Sequence, residues 1–109
     1  TLDGTLFPYT TLFRSERGLA LKAKIEAMGF AVVECYPGAA QDLWHIPRQH
    51  RDRTGLLRGL ADLGVKGLTA EMTGDELDAV TAALVGHWRL KGKGEMLSGD
   101  AGILVPRLP

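Results

Sequence analysis

The run Phe30-Ala31-Val32-Val33-Glu34-Cys35-Tyr36, closed by Pro37-Gly38, constrains the fold of this chain more than any other stretch. Its β-branched and aromatic side chains favour extended backbone. Proline has no amide to donate and glycine suits a turn, so a strand is expected to stop at residue 36. The run is nearly continuous in apolar residues, the pattern of a strand buried on both faces, which predicts a central place in a sheet covered on both sides. Only one other segment reads as extended, Gly102-Ile103-Leu104-Val105-Pro106. Helical patterns fill the rest, so the expected fold class is α/β, with too few strands for a complete sheet.

The helical patterns are explicit. Leu21, Ile25 and Met28 fall at i, i+4 and i+7, with Leu19 and Ala20 alongside and Gly29 as a C-cap. Residues 38–44 make a short helix broken by Ile46-Pro47, and Leu56, Leu57, Leu60 and Leu63 give a second over 54–63, ended by Gly64. The longest helix begins at Thr73, where Thr73-Gly74-Asp75-Glu76 fits a capping box. Leu77, Val80, Ala83 or Leu84, and Trp88 form its expected buried stripe, and Ala79, Ala82 and Ala83 would allow close approach to a sheet. Gly92 and Gly94 end it.

Composition sets limits on function. A chain of 109 residues is one domain or part of one. Its 13 basic and 13 acidic residues cancel, so no global field draws it to nucleic acid or membrane, and any such partner must be met by a local patch. Cys35 is the only cysteine, which excludes an internal disulfide and a multi-cysteine zinc site. No apolar run approaches the ~20 residues of a membrane span and no signal peptide is visible, so the expectation is a soluble, cytoplasmic protein without a membrane partner. Oligomeric state is not encoded in any feature of the sequence.

The opening residues stand apart. The segment 5–15 reads, residue for residue, like one frame of a sequencing adapter translated into protein, and it shows neither strand alternation nor a helical stripe. The domain expectation is therefore a non-native segment over 1–15 and one domain over 16–109, with the missing strands lying upstream of Glu16. Asp3-Gly4-Thr5-Leu6 resembles the nucleophile motif of the haloacid dehalogenase superfamily, but no hydrophobic strand precedes it and the downstream Lys and acidic-pair motifs are not recognisable.

Three carboxylates outside that segment carry possible chemistry. Glu34 lies in the apolar strand, where a carboxylate is costly unless paired or bound to a cation. Asp75 and Asp78 are three apart in the first turns of the long helix and project from one face. Together they can hold Mg²⁺ or Mn²⁺, hard ions that take oxygen ligands, and two such ions can activate water and stabilise the leaving oxygen in phosphodiester hydrolysis. The plainer alternative is that the helix dipole explains Asp75, the capping box explains Glu76, and Glu34 bonds loop amides. His45, His50, Arg48, Arg51, Arg53 and Arg58 form a basic cluster near Trp44. It reads either as a phosphate-contacting patch or as a solvated loop and helix face. Cys35 reads as an inert packed thiol, His87 as a residue suited to the negative end of the helix, and Trp88 as core.

The run Glu34-Cys35-Tyr36-Pro37-Gly38-Ala39, the basic linker, Asp75-Glu76-Leu77-Asp78-Ala79-Val80-Thr81-Ala82-Ala83-Leu84 and Gly102-Ile103-Leu104-Val105-Pro106 together resemble the carboxy-terminal half of the family called domain of unknown function 429. Its members are described as predicted nucleases of RNase H-like fold. The resemblance covers 16–109 and rests on a Glu-x-Tyr-Pro strand end, an Asp-x-x-Asp-Ala helix start and a closing Ile-x-x-Pro segment. It implies an incomplete RNase H-like fold, with Glu34 as the fourth-strand ligand and Asp75 and Asp78 as the final-helix ligands; on the phosphate-patch reading of the basic cluster, Arg48, Arg51 and Arg53 are the expected nucleic-acid contacts. The first-strand Asp of that fold has no counterpart here. The implied function is therefore a fragment of a divalent-metal-dependent nuclease or phosphodiesterase, inactive as this chain, and the alternative is a non-catalytic RNase H-like domain that binds nucleic acid or a protein.

Overall fold

The computed structural model describes residues 16–97 and 102–108. The segment 1–15, with the adapter-like run and Asp3, lies outside them. Four helices and a small mixed sheet appear among the described residues, in the order α1 (Glu16–Ala27), β1 (Glu34–Cys35), α2 (Pro37–Leu43), α3 (Arg53–Asp62), α4 (Gly74–Leu90), β2 (Gly94–Leu97) and β3 (Ile103–Pro106). The fold is mixed α/β, as expected.

The sheet order is β1-β3-β2. β1 runs parallel to β3 through Glu34 with Ile103 and Cys35 with Leu104, and β2 runs antiparallel to β3 from Gly94 with Pro106 to Leu97 with Ile103. The central, fully buried strand is thus β3. This corrects the expectation for residues 30–36. Only Glu34 and Cys35 pair, at an edge among the described strands, and Phe30 is 61% exposed. A parallel strand is defined by its neighbour's hydrogen bonds, and β3 runs beside only the last part of the apolar run. β2 has no β-branched residue and is not recognisable from composition; it is a strand because β3 lies next to it.

α4 is built as expected at its start. Thr73 Oγ1 accepts from the Glu76 amide at 3.1 Å, and Glu76 Oε1 accepts from the Thr73 amide at 2.8 Å. Its buried face is Leu77, Thr81, Leu84 and Val85, with Val80 and Trp88 partly buried. Ala79 and Ala83 are exposed and Ala82 is half-buried, so two of the three small residues expected to meet a sheet do not. α4 packs on α2, β2 and β3. The core gathers Ala40 and Trp44, Leu56 and Leu60 of α3, Leu77, Leu84 and Val85 of α4, and Leu104 of β3. Trp44 and Trp88 meet edge to face, with centroids 5.3 Å apart.

α1 departs from its pattern. Leu21 is 56% exposed and Met28 71%, and Gly18 is the helix's buried residue. The stripe Leu21, Ile25, Met28 is regular, yet no described element packs closely enough on it to bury it. Gly29 does end the helix, at φ 94°, with the Phe30 amide reaching back to the Ile25 carbonyl.

Candidate functional site

The turn that follows α2 shapes the site. The Ile46 amide donates to the Gln41 carbonyl at 3.0 Å, which closes α2 with His45 in the left-handed region at φ 60°. Glycine normally fills that position because a Cβ crowds the backbone there. The chain reverses at His45 and brings Pro47, Arg48, Gln49 and His50 back toward the start of α2.

Arg48 is held there by three contacts. Its Nη2 and Nε donate to Asp42 Oδ2 at 2.6 Å and Oδ1 at 3.2 Å, and its guanidinium lies 5.7 Å from the centre of the Tyr36 ring. Gly38 leaves the room: a Cβ at that position would come within 2.8 Å of Arg48 Cζ. The paired guanidinium holds the Asp42 carboxyl below the usual carboxylate range.

A polar cleft of about 260 Å³ opens between this turn and α4, lined by Tyr36, Gly38, Gln41, Arg48, His50 and Asp78 among others. Gln41 is 2% exposed. Its Nε2 donates to Thr81 Oγ1 at 3.0 Å, and Thr81 Oγ1 donates in turn to the Leu77 carbonyl at 2.8 Å. The Gln41 side chain also lies close enough to Asp78 to favour its ionised form. Burial pushes the Asp78 pKa up and the charge of Asp75 adds to that, while the nearby Gln41 amide and the Arg48 charge oppose both.

Glu34 is buried at 4% exposure on β1. Beside it, the Cys35 thiol is pushed up to about 12, first by burial, then by the charges of Asp78 and Glu34. Cys35 is therefore a protonated, unreactive thiol at neutral pH, as its buried setting in the sequence suggested. The same shift places it in the negative field of both carboxylates. Asp75 acts electrostatically on Asp78 but does not line the cleft. Among the described residues, no three His, Cys, Asp or Glu side chains are gathered closely enough to form a metal-holding group.

The three arginines singled out from the sequence part company. Arg48 lines the cleft, Arg51 is exposed and lies near enough to Asp42 to lower its pKa, and Arg53 donates to the Ala70 carbonyl at 3.0 Å. Sequence reading missed Gln41 and Thr81. Their bond spans 40 residues, and no local pattern joins a glutamine in one helix to a threonine in another.

Comparison of the chain with protein-family models, curated proteins and solved structures gives no match. No helix among the described residues is long and apolar enough to cross a membrane.

Proposed function

We propose that this cleft is one side of a divalent-metal-dependent phosphodiesterase or nuclease centre, with Asp78 as its main carboxylate, Asp75 and Glu34 beside it, and Arg48 contacting a nucleic-acid phosphate. The observation that carries the reading is Asp78 itself, a half-buried carboxylate disfavoured as an anion by burial and by Asp75, at the wall of a cleft that also holds a guanidinium. A cation would relieve that condition. Mg²⁺ or Mn²⁺ is commonly held by one or two carboxylates with water and substrate phosphate, so Asp75 and Asp78 meet the lower limit of the donor set. Such an ion, when bound, supplies charge stabilisation and an activated water.

The chain's own groups orient the reactants. Gln41, anchored on Thr81, stands beside Asp78 and favours its carboxylate form. Arg48 has five donors, and Asp42 engages the Nε and one Nη2 donor, so others remain for a phosphate. The resemblance to domain of unknown function 429 supports the same reading, as does the parallel pairing of Glu34's strand with β3, and an incomplete RNase H-like fold is part of the proposal. On this reading the chain by itself binds metal but cleaves poorly, because a third closely set ligand is lacking among the described residues.

The test is Mn²⁺ titration of the chain followed by paramagnetic broadening of amide resonances. Broadening centred on residues 34–36, 75 and 78 that disappears in Asp78→Asn is expected; uniform or absent broadening at millimolar Mn²⁺ would sink the metal reading. The lack of a three-donor group favours one second reading, a non-catalytic domain that binds nucleic acid or a protein. In that case Arg48→Ala weakens oligonucleotide binding, and Asp78→Asn and metal leave it unchanged.

A further inference from the structure

A second cleft lies at the opposite end of α4. Just past the end of α4, Gly92 lies at φ 76°, and the Lys93 amide turns back to the Trp88 carbonyl at 2.8 Å. This reversal carries the Lys93 ammonium over the Trp88 ring, 5.7 Å from its centre. β3 returns alongside, and the Arg107 amide donates to the Lys93 carbonyl at 2.7 Å while its guanidinium bonds the Gly92 carbonyl. Trp88, Gly92, Lys93, Arg107 and Leu108 line a cleft of about 300 Å³, at the lower end of the range for small-molecule sites, ~300–1,000 Å³.

Its charge differs from that of the first cleft. Arg48 is neutralised by Asp42, and Lys22 by Glu26. Among the described residues neither Lys93 nor Arg107 has a carboxylate partner, and no acidic side chain lines the cleft. Two unpaired cations therefore stand beside a half-buried indole and a 39% exposed leucine. That combination suits a ligand with a flat ring at one end and a compact anion at the other.

We propose that this cleft binds a nucleotide, its base on Trp88 and its phosphate between Lys93 and Arg107. Stacking of a base on an aromatic side chain is stronger than an exposed cation–π contact, so the base takes the ring face and Lys93, on its flexible four-carbon stem, moves to the phosphate. Arg107 is already oriented by the Gly92 carbonyl and keeps further donors for the same phosphate. The nucleotide can be free or part of a single strand, since both present the same base and phosphate. The proposal does not rest on the metal reading of the first cleft.

The experiment uses the full chain in EDTA, where no metal chemistry contributes, and follows chemical shifts of the Trp88 indole and the Lys93 and Arg107 amides. Adenosine 5′-monophosphate and a short single-stranded oligodeoxynucleotide are titrated separately, with inorganic phosphate and adenosine as controls. Saturable shifts at these three residues with the mononucleotide or the oligonucleotide are expected, weakened at least tenfold in Lys93→Gln/Arg107→Gln and by raised salt. A mononucleotide that binds as tightly as the oligonucleotide identifies a free-nucleotide site, and an oligonucleotide that binds far more tightly identifies a strand-binding one. No shift at these residues with either probe, or equal affinity for inorganic phosphate alone, overturns the proposal. Both exposed substitutions lie outside the core, and an unchanged Asp78→Asn titration would keep this result separate from any failure of the metal site.

Discussion

α1 and α4 carry apolar residues at similar helical spacing, yet one is buried and the other is not. α4 lies against α2, β2 and β3, and Leu77 and Val85 are fully buried. α1 and the turn after it keep Leu19, Leu21 and Met28 at least half exposed. Periodicity determines which residues share a face of a helix; it does not supply the surface that covers that face. Most helical stability comes from such packing, so the two helices should respond very differently to the same kind of change.

The largest contrast is between Leu77→Ala and Leu21→Ala. The first empties a site at 0% exposure and should cost about 2–5 kcal/mol, while the second should lie within ~0.5 kcal/mol of wild type, both read by urea unfolding. Equal losses would mean that α1 is covered in solution and would erase the distinction. Next comes the turn that carries Arg48. A left-handed non-glycine residue costs ~1–2 kcal/mol, and glycine's extra freedom in the unfolded chain returns ~0.4–1 kcal/mol of that. His45→Gly should therefore raise stability by about 0.5–1 kcal/mol, and a destabilised variant would show that the His45 side chain itself holds the turn.

A smaller, pH-dependent effect belongs to Asp78, whose carboxyl is partly solvated. Its folded pKa lies above the unfolded value of 3.8, so the native state holds the proton more tightly. That contribution is fully present below the unfolded pKa and is lost as pH rises through the folded one. Asp78→Asn should then gain stability relative to wild type as pH is raised from 3 through the carboxylate range, and a constant difference across pH would contradict the assigned burial. The least effect is expected in α1, where Lys22 and Glu26 pair at 2.8 Å on an exposed face. Lys22→Ala should change stability by no more than ~0.5 kcal/mol, and less still at high salt.

Local signals in this chain proved legible where the interaction itself is local. The Thr73 and Glu76 capping box spans three residues and is present as read. The leucines at 56 and 60 enter the core, and 103–106 is a strand. Helix α3 starts one residue earlier than its leucine pattern suggests, because Asp52 caps it by accepting from the Gly55 amide at 2.9 Å. The cleft was half legible. Arg48 and Asp78 could be named as polar groups with possible work to do, but Gln41, which is bonded to Thr81 and acts on Asp78, could not.

By itself the sequence determined the helices and their glycine ends, the capping box of α4, the stop at Pro37-Gly38 and the apolar character of the last strand, because each depends on residues a few positions apart. Only the tertiary structure decided that β3 is the central strand and the 30–36 run an exposed approach to a two-residue edge. It also decided that Arg48 belongs to a cleft with Asp78 while Arg53 does not, and that Lys93 and Arg107 meet beside Trp88. These outcomes depend on which distant backbone lies alongside, and hydrogen-bond pairing and burial are settled by that neighbour rather than by the residue alone.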